Sequence, residues 1–445
     1  MFRGRWYVVS LLGTLYIMSY LDRLILTLMV EPIKSGFHLT DTQIGLLMGP
    51  AFAFFFSAFA LPLAWLVDRG HRKTYLVVGV TIWSICTILS GFATSFGMLF
   101  ALRMGLALGE AVLSPVAISM IGDLFAKEER STPTALYVSS ATVGILLSYL
   151  AGGAILGWAS DGSLARTLGL AALAPWRLSL VVVGLPSLLL AILVLFTIRE
   201  PRRSHVAAVS QAVAESDPER FGIFASRREA MQFFIPILIG NALASLILYA
   251  ALSWYPTHLI RTFGVSATHA GYIFSTAILL GVPPLLATSV FAQRIARNGR
   301  RDLLLFIPLL QIPLGLLFFI LALSQSSLLA ASIFIALGYS LLACVSGLVI
   351  VSLPMTAPPA FRGRLTAVFS LANNLVGAGF GVFLIGFLSD TFFKGPDSIR
   401  ISLLVTTCVT GPIMWLFYFL AWKPYRAACY RKDSASASKG VVGGA

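Results

Sequence analysis

The sequence predicts an all-α membrane protein whose twelve transmembrane helices form two six-helix halves. Of its 445 residues, 58% are hydrophobic and only 11% are charged, and the mean hydropathy is +0.89. A water-soluble domain of this composition would have to expose too much apolar surface, so lipid is the expected solvent. In addition, apolar runs of the roughly 20 residues that a helix needs to cross a bilayer recur twelve times along the chain.

The apolar runs divide into two sets of six around one long polar stretch. This stretch, Arg199 to Arg228, contains Pro201 and Pro218 and has the composition of a linker. The first run is too long for a signal-peptide core and lacks a cleavage pattern, so we expect it to remain as the first span. The runs lie at residues 6–30, 43–67, 75–94, 97–122, 134–158, 177–198, 230–255, 269–291, 302–323, 328–353, 365–389 and 400–421. The predicted organisation is an N-terminal half at 1–198, a central cytoplasmic loop at 199–228, a C-terminal half at 229–422 and a cytoplasmic tail at 423–445.

Basic residues are concentrated in the segments on one side of the predicted spans. With the N-terminus on that side, those segments hold 24 of the 32 lysines and arginines, and the positive-inside rule places both termini and the central loop in the cytoplasm. Because the charge is spread over short loops rather than one face of a soluble domain, it does not indicate a nucleic-acid partner. The chain has no Asn-x-Ser/Thr acceptor, which fits a bacterial cytoplasmic (inner) membrane.

Four ionisable side chains lie deep inside the predicted spans, where a charge is costly and usually functional. They are Asp22 and Arg23 in the first span and Arg103 and Glu110 in the fourth. With a helical rise of about 1.5 Å per residue, Asp22 lies about 24 Å from the cytoplasmic edge, between Glu110 at about 20 Å and Arg103 at about 30 Å. Arg103 and Glu110 are seven residues apart, so they share one face of their helix.

The two embedded acids are the candidate proton carriers. Burial disfavours the charged form of a carboxyl group whereas a neighbouring arginine favours it, and a carboxyl balanced between the two can carry a proton. We therefore predict that Asp22 and Glu110 couple protons. The residues of these two spans predicted to bind substrate or to act in gating are Arg23, Arg103, Tyr20 and Ser19. The alternative is two buried salt bridges that only fix the packing of the helices.

The C-terminal half offers polar but uncharged side chains to the predicted site. In proteins built from two such halves the site lies between them near the membrane midplane, and spans seven and ten carry Asn241, Tyr249 and Ser346 without a mid-span charge. A compact dianion would be expected to find cations on both sides of its cavity, whereas an amphiphile needs a charged contact on one side and an apolar wall on the other. The asymmetry favours an amphiphilic substrate with its charged head near the N-terminal half.

The loop between the second and third spans is a candidate cytoplasmic gate. An acid that caps one helix beside a cluster of cations can bridge helix ends on that side and can release them on opening. The residues predicted for this gate are Asp68, Arg69, Arg72, Lys73 and Arg130. The pattern Arg-x-x-x-Thr-Ala begins at Arg130 after the fourth span and at Arg362 after the tenth, in agreement with a six-plus-six duplication.

This loop resembles a signature of the major facilitator superfamily. The family pattern is Gly-x-x-x-Asp-Arg-x-Gly-Arg-Lys, and the chain matches it at Asp68, Arg69, Arg72 and Lys73. It departs from the pattern at two positions, because Ala64 replaces the first glycine and His71 the second. The resemblance implies the twelve-span major facilitator fold, and the central loop and the repeat extend it over nearly the whole chain.

A narrower resemblance is to the Spinster branch of that superfamily, which is associated with export of lysophospholipids and sphingosine phosphate. The segments that carry it are Tyr20-Leu21-Asp22-Arg23, Leu39-Thr40-Asp41 with Gln43, Gly45-Leu46-Leu47, Arg103 with Gly105, Gly109-Glu110-Ala111, Pro115, Asp123-Leu124-Phe125 and Arg130-Ser131. The resemblance implies that Asp22 and Glu110 take part in proton coupling and that the two arginines bind or gate. The anion:cation symporter branch, which takes up sugar acids and organic anions, has a similar first and fourth span and is the alternative.

A membrane enzyme and a channel are the competing classes of protein. An enzyme would need a nucleophile with a base, or clustered metal ligands, and the embedded acids here are accompanied by arginines instead. Two six-span halves with a one-sided charge cluster indicate alternating access rather than an open pore. We therefore expect no enzyme, no cofactor and no metal site. The expected partners are a small amphiphilic substrate, protons and membrane lipid, and the expected state is a monomer.

Overall fold

The structure, a computed structural model, describes residues 4–169, 173–201, 223–297, 300, 302–357 and 361–442. Within these residues twelve helices are long and apolar enough to cross a membrane, which confirms the predicted all-α membrane fold. Residues 202–222, which make up most of the predicted central loop, lie outside the described part of the chain. The predicted division into halves, loop and tail stays a prediction.

The first six spans begin and end within a few residues of the predicted limits. Span one is Arg5–Leu24 continued by a 3-10 turn at Ile25–Leu28, span two is Asp41–Met48 with Pro50–Arg69, span three is Arg72–Ser90, span four is Phe96–Glu110 with Leu113–Leu124, span five is Ser131–Ser160 and span six is Pro175–Thr197. Two short helices, Val30–Phe37 and Ser163–Leu168, follow spans one and five.

Several of the last six spans are longer than their apolar runs. Span seven is Arg227–Phe263, span eight is Ala267–Arg297, span nine is Leu303–Ser324, span ten is Leu328–Thr356, span eleven is Arg362–Ala372 with Asn373–Gly381 and Val382–Thr391, and span twelve is Ser398–Val442. The segment predicted as a tail from residue 423 is therefore a helical continuation of span twelve as far as Val442.

Two of the first six spans are interrupted next to the embedded acids. In span one the α-helix ends at Leu24, shortly after Asp22, and the 3-10 turn follows. In span four it ends at Glu110 and resumes at Leu113, and Pro115 cannot donate a main-chain hydrogen bond to the preceding turn. Interrupted helices at membrane depth free main-chain groups and are typical of sites that bind ions or substrates.

The first of two compact units contains all the N-terminal spans. It comprises Met1–Ser204, Leu252–Thr276 and Val382–Ile399, so it also includes the ends of spans seven, eight and eleven on the side opposite the termini. Its core contains completely buried side chains from different spans, such as Leu12 and Trp83. Residues of the predicted C-terminal half are thus packed into this unit on one side of the membrane.

The second compact unit comprises His205–Ala251, Ala277–Gly381 and Arg400–Ala445. In this unit the middle segment of span eleven, Asn373–Gly381, is a π-helix. A Cβ atom at Gly377 would lie 2.8 Å from the Cβ atom of Ser245 on span seven. The lack of a side chain at this glycine therefore lets spans seven and eleven approach closely.

Candidate functional site

The carboxyl group of Asp22 lies inside the N-terminal set of spans. Asp22 is 1% exposed, and Ser187 of span six donates a hydrogen bond of 2.9 Å to its Oδ2 atom. Thr87 and Trp83 of span three also lie next to this carboxyl group. Its other oxygen, Oδ1, has no hydrogen-bond partner among the described residues. Asp22 thus faces spans three and six, which present the hydroxyls of Ser187 and Thr87 and the indole of Trp83 to its carboxyl group.

Arg103 and Glu110 are buried on one face of span four, with exposed fractions of 3% and 6%. The Nη1 atom of Arg103 lies 3.3 Å from the carbonyl oxygen of Asp22 and 3.4 Å from that of Arg23. Its hydrogen bonds therefore go to the main chain of span one rather than to a carboxylate. Within the described part of the chain, Arg103 Nη2 and Glu110 Oε1 have no hydrogen-bond partner. We refer to Asp22, Arg103 and Glu110 as the buried charge cluster.

Arg23 is the most accessible of the four embedded charges. It is partly exposed, and its guanidinium carbon lies 5.2 Å from the ring centroid of Tyr20 and 4.6 Å from that of Phe52. It is close enough to Glu110 for the two charges to interact. Ser19, in contrast, is buried and donates its hydroxyl hydrogen to a carbonyl of its own helix at 3.2 Å.

The unpaired polar atoms determine what the buried charge cluster can do chemically. Buried polar groups in proteins nearly always have hydrogen-bond partners, and one left without a partner costs about 1–3 kcal/mol. In the cluster one oxygen of each carboxyl group and one guanidinium nitrogen lack a partner among the residues that the structure describes. The two carboxyl oxygens can take up a proton, and all three atoms can form a hydrogen bond with a water molecule or with a polar atom of a substrate.

Arg72 is the buried member of the predicted cytoplasmic gate. It is 1% exposed, and it forms ion pairs with Asp123 at the end of span four, at 2.5 Å, and with Glu200 after span six, at 2.8 Å. Its Nη1 atom also donates to the hydroxyl of Ser119 at 3.0 Å. All of these partners belong to the N-terminal spans. Arg72 therefore fastens the ends of spans three, four and six to one another.

The other residues predicted for this gate lie around the same helix ends. The main-chain N–H of Lys73 donates to Glu200 at 2.8 Å, and the guanidinium of Arg69 lies 3.9 Å from the centroid of an indole ring. Arg130 donates to a carbonyl five residues earlier at 3.0 Å. Asp68 is exposed at the end of span two. A gate role for these residues stays a prediction.

An ion-pair network lies on the opposite side of the spans, where the sequence had not predicted one. Asp41, at the start of span two, is 2% exposed, and Arg261 at the end of span seven donates two hydrogen bonds to it, at 2.8 and 2.9 Å. Lys34 donates to the same carboxylate at 2.6 Å and Ser389 of span eleven at 2.8 Å. Glu31 pairs with Arg261 at 2.7 Å. We refer to Glu31, Lys34, Asp41 and Arg261 as the outer network.

Asp390 attaches the end of span eleven to the first turn of span two. Its carboxylate accepts hydrogen bonds from the main-chain N–H groups of Asp41 and Thr42, at 3.2 and 2.6 Å, and from the Thr42 hydroxyl at 2.6 Å. A carboxylate at this position satisfies free N–H groups of the helix and interacts favourably with its dipole. Thr40 and Gln43 complete the cap of span two with a reciprocal pair of hydrogen bonds.

The polar residues predicted in the C-terminal half lie in the second unit. Asn241 is completely buried; its amide donates to Asn373 at 2.9 Å and accepts from the hydroxyl of Tyr418 at 3.3 Å. It therefore joins spans seven, eleven and twelve. Tyr249 and Ser346 are partly buried. A binding role for these residues stays a prediction.

Known proteins resemble the chain over most of its length. An MFS-type efflux pump of Mycolicibacterium smegmatis is 28% identical over 437 residues, which are 97% of this chain and 94% of that protein. The probable galactarate/D-glucarate transporter GudP of Bacillus subtilis is 24% identical over 317 residues, or 66% of each protein. The crystal structure of a bacterial homologue of the human lysosomal transporter Spinster, in an inward-facing and occupied conformation, covers 95% of this chain and 98% of its own, with a TM-score of 0.82 and 26% identity. The resemblance to the Spinster branch is thereby confirmed.

The family itself follows from a match to a family profile. A profile of the Major Facilitator Superfamily matches residues 12–382. The matched range includes the embedded charges of spans one and four and the loop from Asp68 to Lys73, despite its departures at Ala64 and His71. The chain is therefore an integral membrane protein that belongs to the major facilitator superfamily of transporters.

Proposed function

We propose that this transporter couples protons to the movement of an amphiphilic lysolipid or sphingolipid-like substrate by alternating access. The observation that carries the proposal is the buried charge cluster with its unpaired polar atoms, next to the partly exposed Arg23. The cluster supplies groups that can exchange a proton, and Arg23 supplies a cation that a substrate can reach. We place the protein in a bacterial cytoplasmic membrane as a monomer with both termini inside.

Proton uptake and substrate binding would be coupled because the carboxylate of Glu110 and the anionic head group of the substrate compete for the positive charge of Arg23. When Glu110 is ionised, its charge interacts favourably with Arg23. A proton on Glu110 removes this interaction and leaves the guanidinium available to an anionic head group. Conversely, an anion bound at Arg23 favours the protonated form of Glu110, because binding and protonation are thermodynamically linked. Asp22 faces spans three and six rather than Arg23, and it would hold the second exchangeable proton.

An amphiphilic substrate fits the surroundings of Arg23. Its guanidinium lies between the rings of Tyr20 and Phe52, so an anionic head bound there would have apolar surface beside it. The resemblance to the Spinster branch, which is associated with export of lysophospholipids, supports an amphiphilic substrate. We propose that Tyr249, Asn241 and Ser346 serve the less charged part of the substrate.

A sugar acid is the second candidate substrate. Two observations favour it: the similarity to a probable galactarate/D-glucarate transporter, and the presence of two arginines in one site, since Arg103 contacts the main chain of span one at Arg23. A dianion would need a second cation, and Arg103 Nη2 has no hydrogen-bond partner within the described residues.

Transport by the purified full chain in sealed vesicles distinguishes the two substrates. With an imposed pH gradient, we expect flux of a lysophospholipid that changes when the gradient is reversed or collapsed, and no comparable flux of D-glucarate. Vesicles without protein correct for passive movement of the lysolipid. Flux of D-glucarate that depends on the gradient, without flux of lysophospholipid, would establish the second candidate substrate. Flux of either substrate that does not depend on the pH gradient would refute proton coupling.

Ser187 provides a test of the proton on Asp22. Its hydroxyl favours the charged carboxylate, and a hydrogen bond to a charged group contributes about 1.5–3 kcal/mol. We therefore expect Ser187→Ala to move the midpoint of the pH dependence of transport upward by about one to two pH units. Ser179→Ala is the matched control, because Ser179 is a completely buried hydroxyl of the same span that donates to Pro175. An equal shift in both variants, or none in either, would contradict a role for Ser187 at Asp22.

The outer network and the predicted cytoplasmic gate would close the transporter on opposite sides of the membrane. We propose that the outer network closes the side opposite the termini, because it joins the short helix after span one and the start of span two to the end of span seven. We propose that Asp68, Arg69, Lys73 and Arg130 act at the cytoplasmic gate. Arg72 would hold the N-terminal helix ends in place for it, because its partners lie on the N-terminal spans.

A further inference from the structure

The last helix carries an aromatic and basic stripe along its C-terminal part. Its members are spaced by four, three, four and four residues, so they follow one face of the helix. The stripe consists of Trp415, Phe419, Trp422, Arg426 and Tyr430. Nothing in the transport mechanism uses it.

Arg426 of the stripe and the neighbouring Lys423 are exposed and lie over aromatic rings. The guanidinium carbon of Arg426 lies 5.2 Å from the ring centroid of Trp422 and 5.5 Å from that of Tyr430. Lys423, one turn after Phe419, lies 4.9 Å from the ring of that residue. Both cations are exposed, and stacking leaves the edge of a guanidinium group free to donate hydrogen bonds. The rings thus hold two cations in place without neutralising them.

The opposite face of the same helix segment is fixed to the second unit. Tyr425 and Ala428 are 2% and 0% exposed, and the ring of Tyr425 stacks on Phe233 of span seven at 5.6 Å. Arg431 forms an ion pair with Glu229 at the start of the same span. The segment is therefore a packed extension of the bundle, and this packing determines the direction in which Lys423 and Arg426 point.

The length of span twelve places these cations at the level of lipid head groups. From Ser398 to Leu420 an α-helix rises about 33 Å, which is close to the thickness of the hydrocarbon core. Arg426 lies about 9 Å further along the helix than Leu420, and its long side chain can reach back into the polar layer that borders the hydrocarbon core. Trp422 is near the boundary, where amphipathic aromatic rings are favoured.

We propose that Lys423 and Arg426 form a binding site for the phosphate group of an anionic phospholipid. The lipid would come from the leaflet on the side of the termini, with its acyl chains along Phe419 and Trp415. Charge complementarity identifies the occupant, because two neighbouring cations at head-group depth attract a phosphate that carries no compensating positive charge. A zwitterionic phospholipid gains less from the same cations.

Native mass spectrometry of the full chain, titrated in detergent with phosphatidylglycerol or phosphatidylcholine, tests the site. A cation near the membrane surface contributes enough that Arg426→Gln should weaken phosphatidylglycerol binding about fivefold. Lys127→Gln is the matched control, because Lys127 is an exposed cation in the loop after span four, on the same side as the C-terminal segment. We expect this control to leave the binding unchanged. Arg426→Lys keeps the charge and should retain most of the binding.

Three results would overturn the proposal. Equal losses in Arg426→Gln and Lys127→Gln would show that the attraction is general to the basic side of the protein. Equal binding of phosphatidylcholine would remove the preference for an anionic head group. Displacement of phosphatidylglycerol by inorganic phosphate at the same concentration would identify a site for free phosphate rather than for a membrane lipid.

Discussion

Replacing Glu110 with glutamine is expected to abolish the response of transport to a pH gradient. The substitution keeps the shape of the side chain but removes its exchangeable proton and its charge interaction with Arg23. Asp22→Asn should have the same effect through the second carboxyl group. Each variant also leaves Arg103 with less compensating charge in a buried place, and if the site is dry we expect a loss of about 3 kcal/mol or more of stability.

Flux into vesicles at several imposed gradients, together with thermal unfolding in detergent, separates the two effects. A proton carrier that is neutralised should still bind substrate but lose the pH dependence, whereas a purely structural charge should lose stability without any change in that dependence. Glu128→Gln serves as the control, because it removes an exposed acid from the loop after the same span. If Glu110→Gln and Asp22→Asn both fold and transport with the wild-type pH dependence, the carboxyl groups are packing elements and the proton-carrier assignment is wrong.

The twelve spans could be predicted because the length of an apolar run is a local property of the sequence. In lipid the main-chain N–H and C=O groups must form their hydrogen bonds within the segment, so a long apolar run folds as an α-helix. The helical extension after residue 422 could not be predicted in this way, because its apolar side chains are few. Tyr425 is buried because its ring stacks on Phe233 of span seven, a contact between distant parts of the sequence.

The core of the candidate site could be predicted for a different reason: charged residues are rare in the middle of membrane spans. Only four charges lie in the middle of the predicted spans, and three of them, Asp22, Arg103 and Glu110, form the buried charge cluster. Ser187 could not be singled out, because hydroxyl side chains are common in membrane helices and usually bond to their own helix, as Ser179 does. The Asp22 side chain points toward spans three and six because of how the spans pack against one another. The sequence of span one alone does not predict this orientation.

The outer network was missed because its partners are far apart in the sequence. Asp41 was noticed only as part of a family segment, and its contacts with Arg261 and Ser389 cross more than 200 residues. One signal was present: few lysines and arginines lie outside the cytoplasmic segments, so a buried acid on that side has few possible partners. Lys34 and Arg261 are two of them.

Breaking the outer network at Arg261 should open the side of the transporter opposite the termini. Arg72 and Arg261 each bind two acids, but the partners of Arg72 lie on the N-terminal spans, whereas Arg261 joins span seven to the start of span two. Only the second kind of contact has to break when the two halves separate. A hydrogen bond to a charged group contributes about 1.5–3 kcal/mol, so Arg261→Gln should increase the population open on that side about tenfold or more.

Distances between spin labels at positions 35 and 391, both exposed, would measure this population in a variant without the four native cysteines. We expect a longer distance to gain population in Arg261→Gln and in Asp41→Asn. Glu31→Gln should change it little, because Glu31 is the more exposed partner, with a side chain 39% accessible, and exposed ion pairs contribute about 0–1 kcal/mol. An unchanged distance distribution in a folded Arg261→Gln protein would mean that the network holds the fold together but does not control access, and closure on that side would then have to rest on the cap that Asp390 forms on span two.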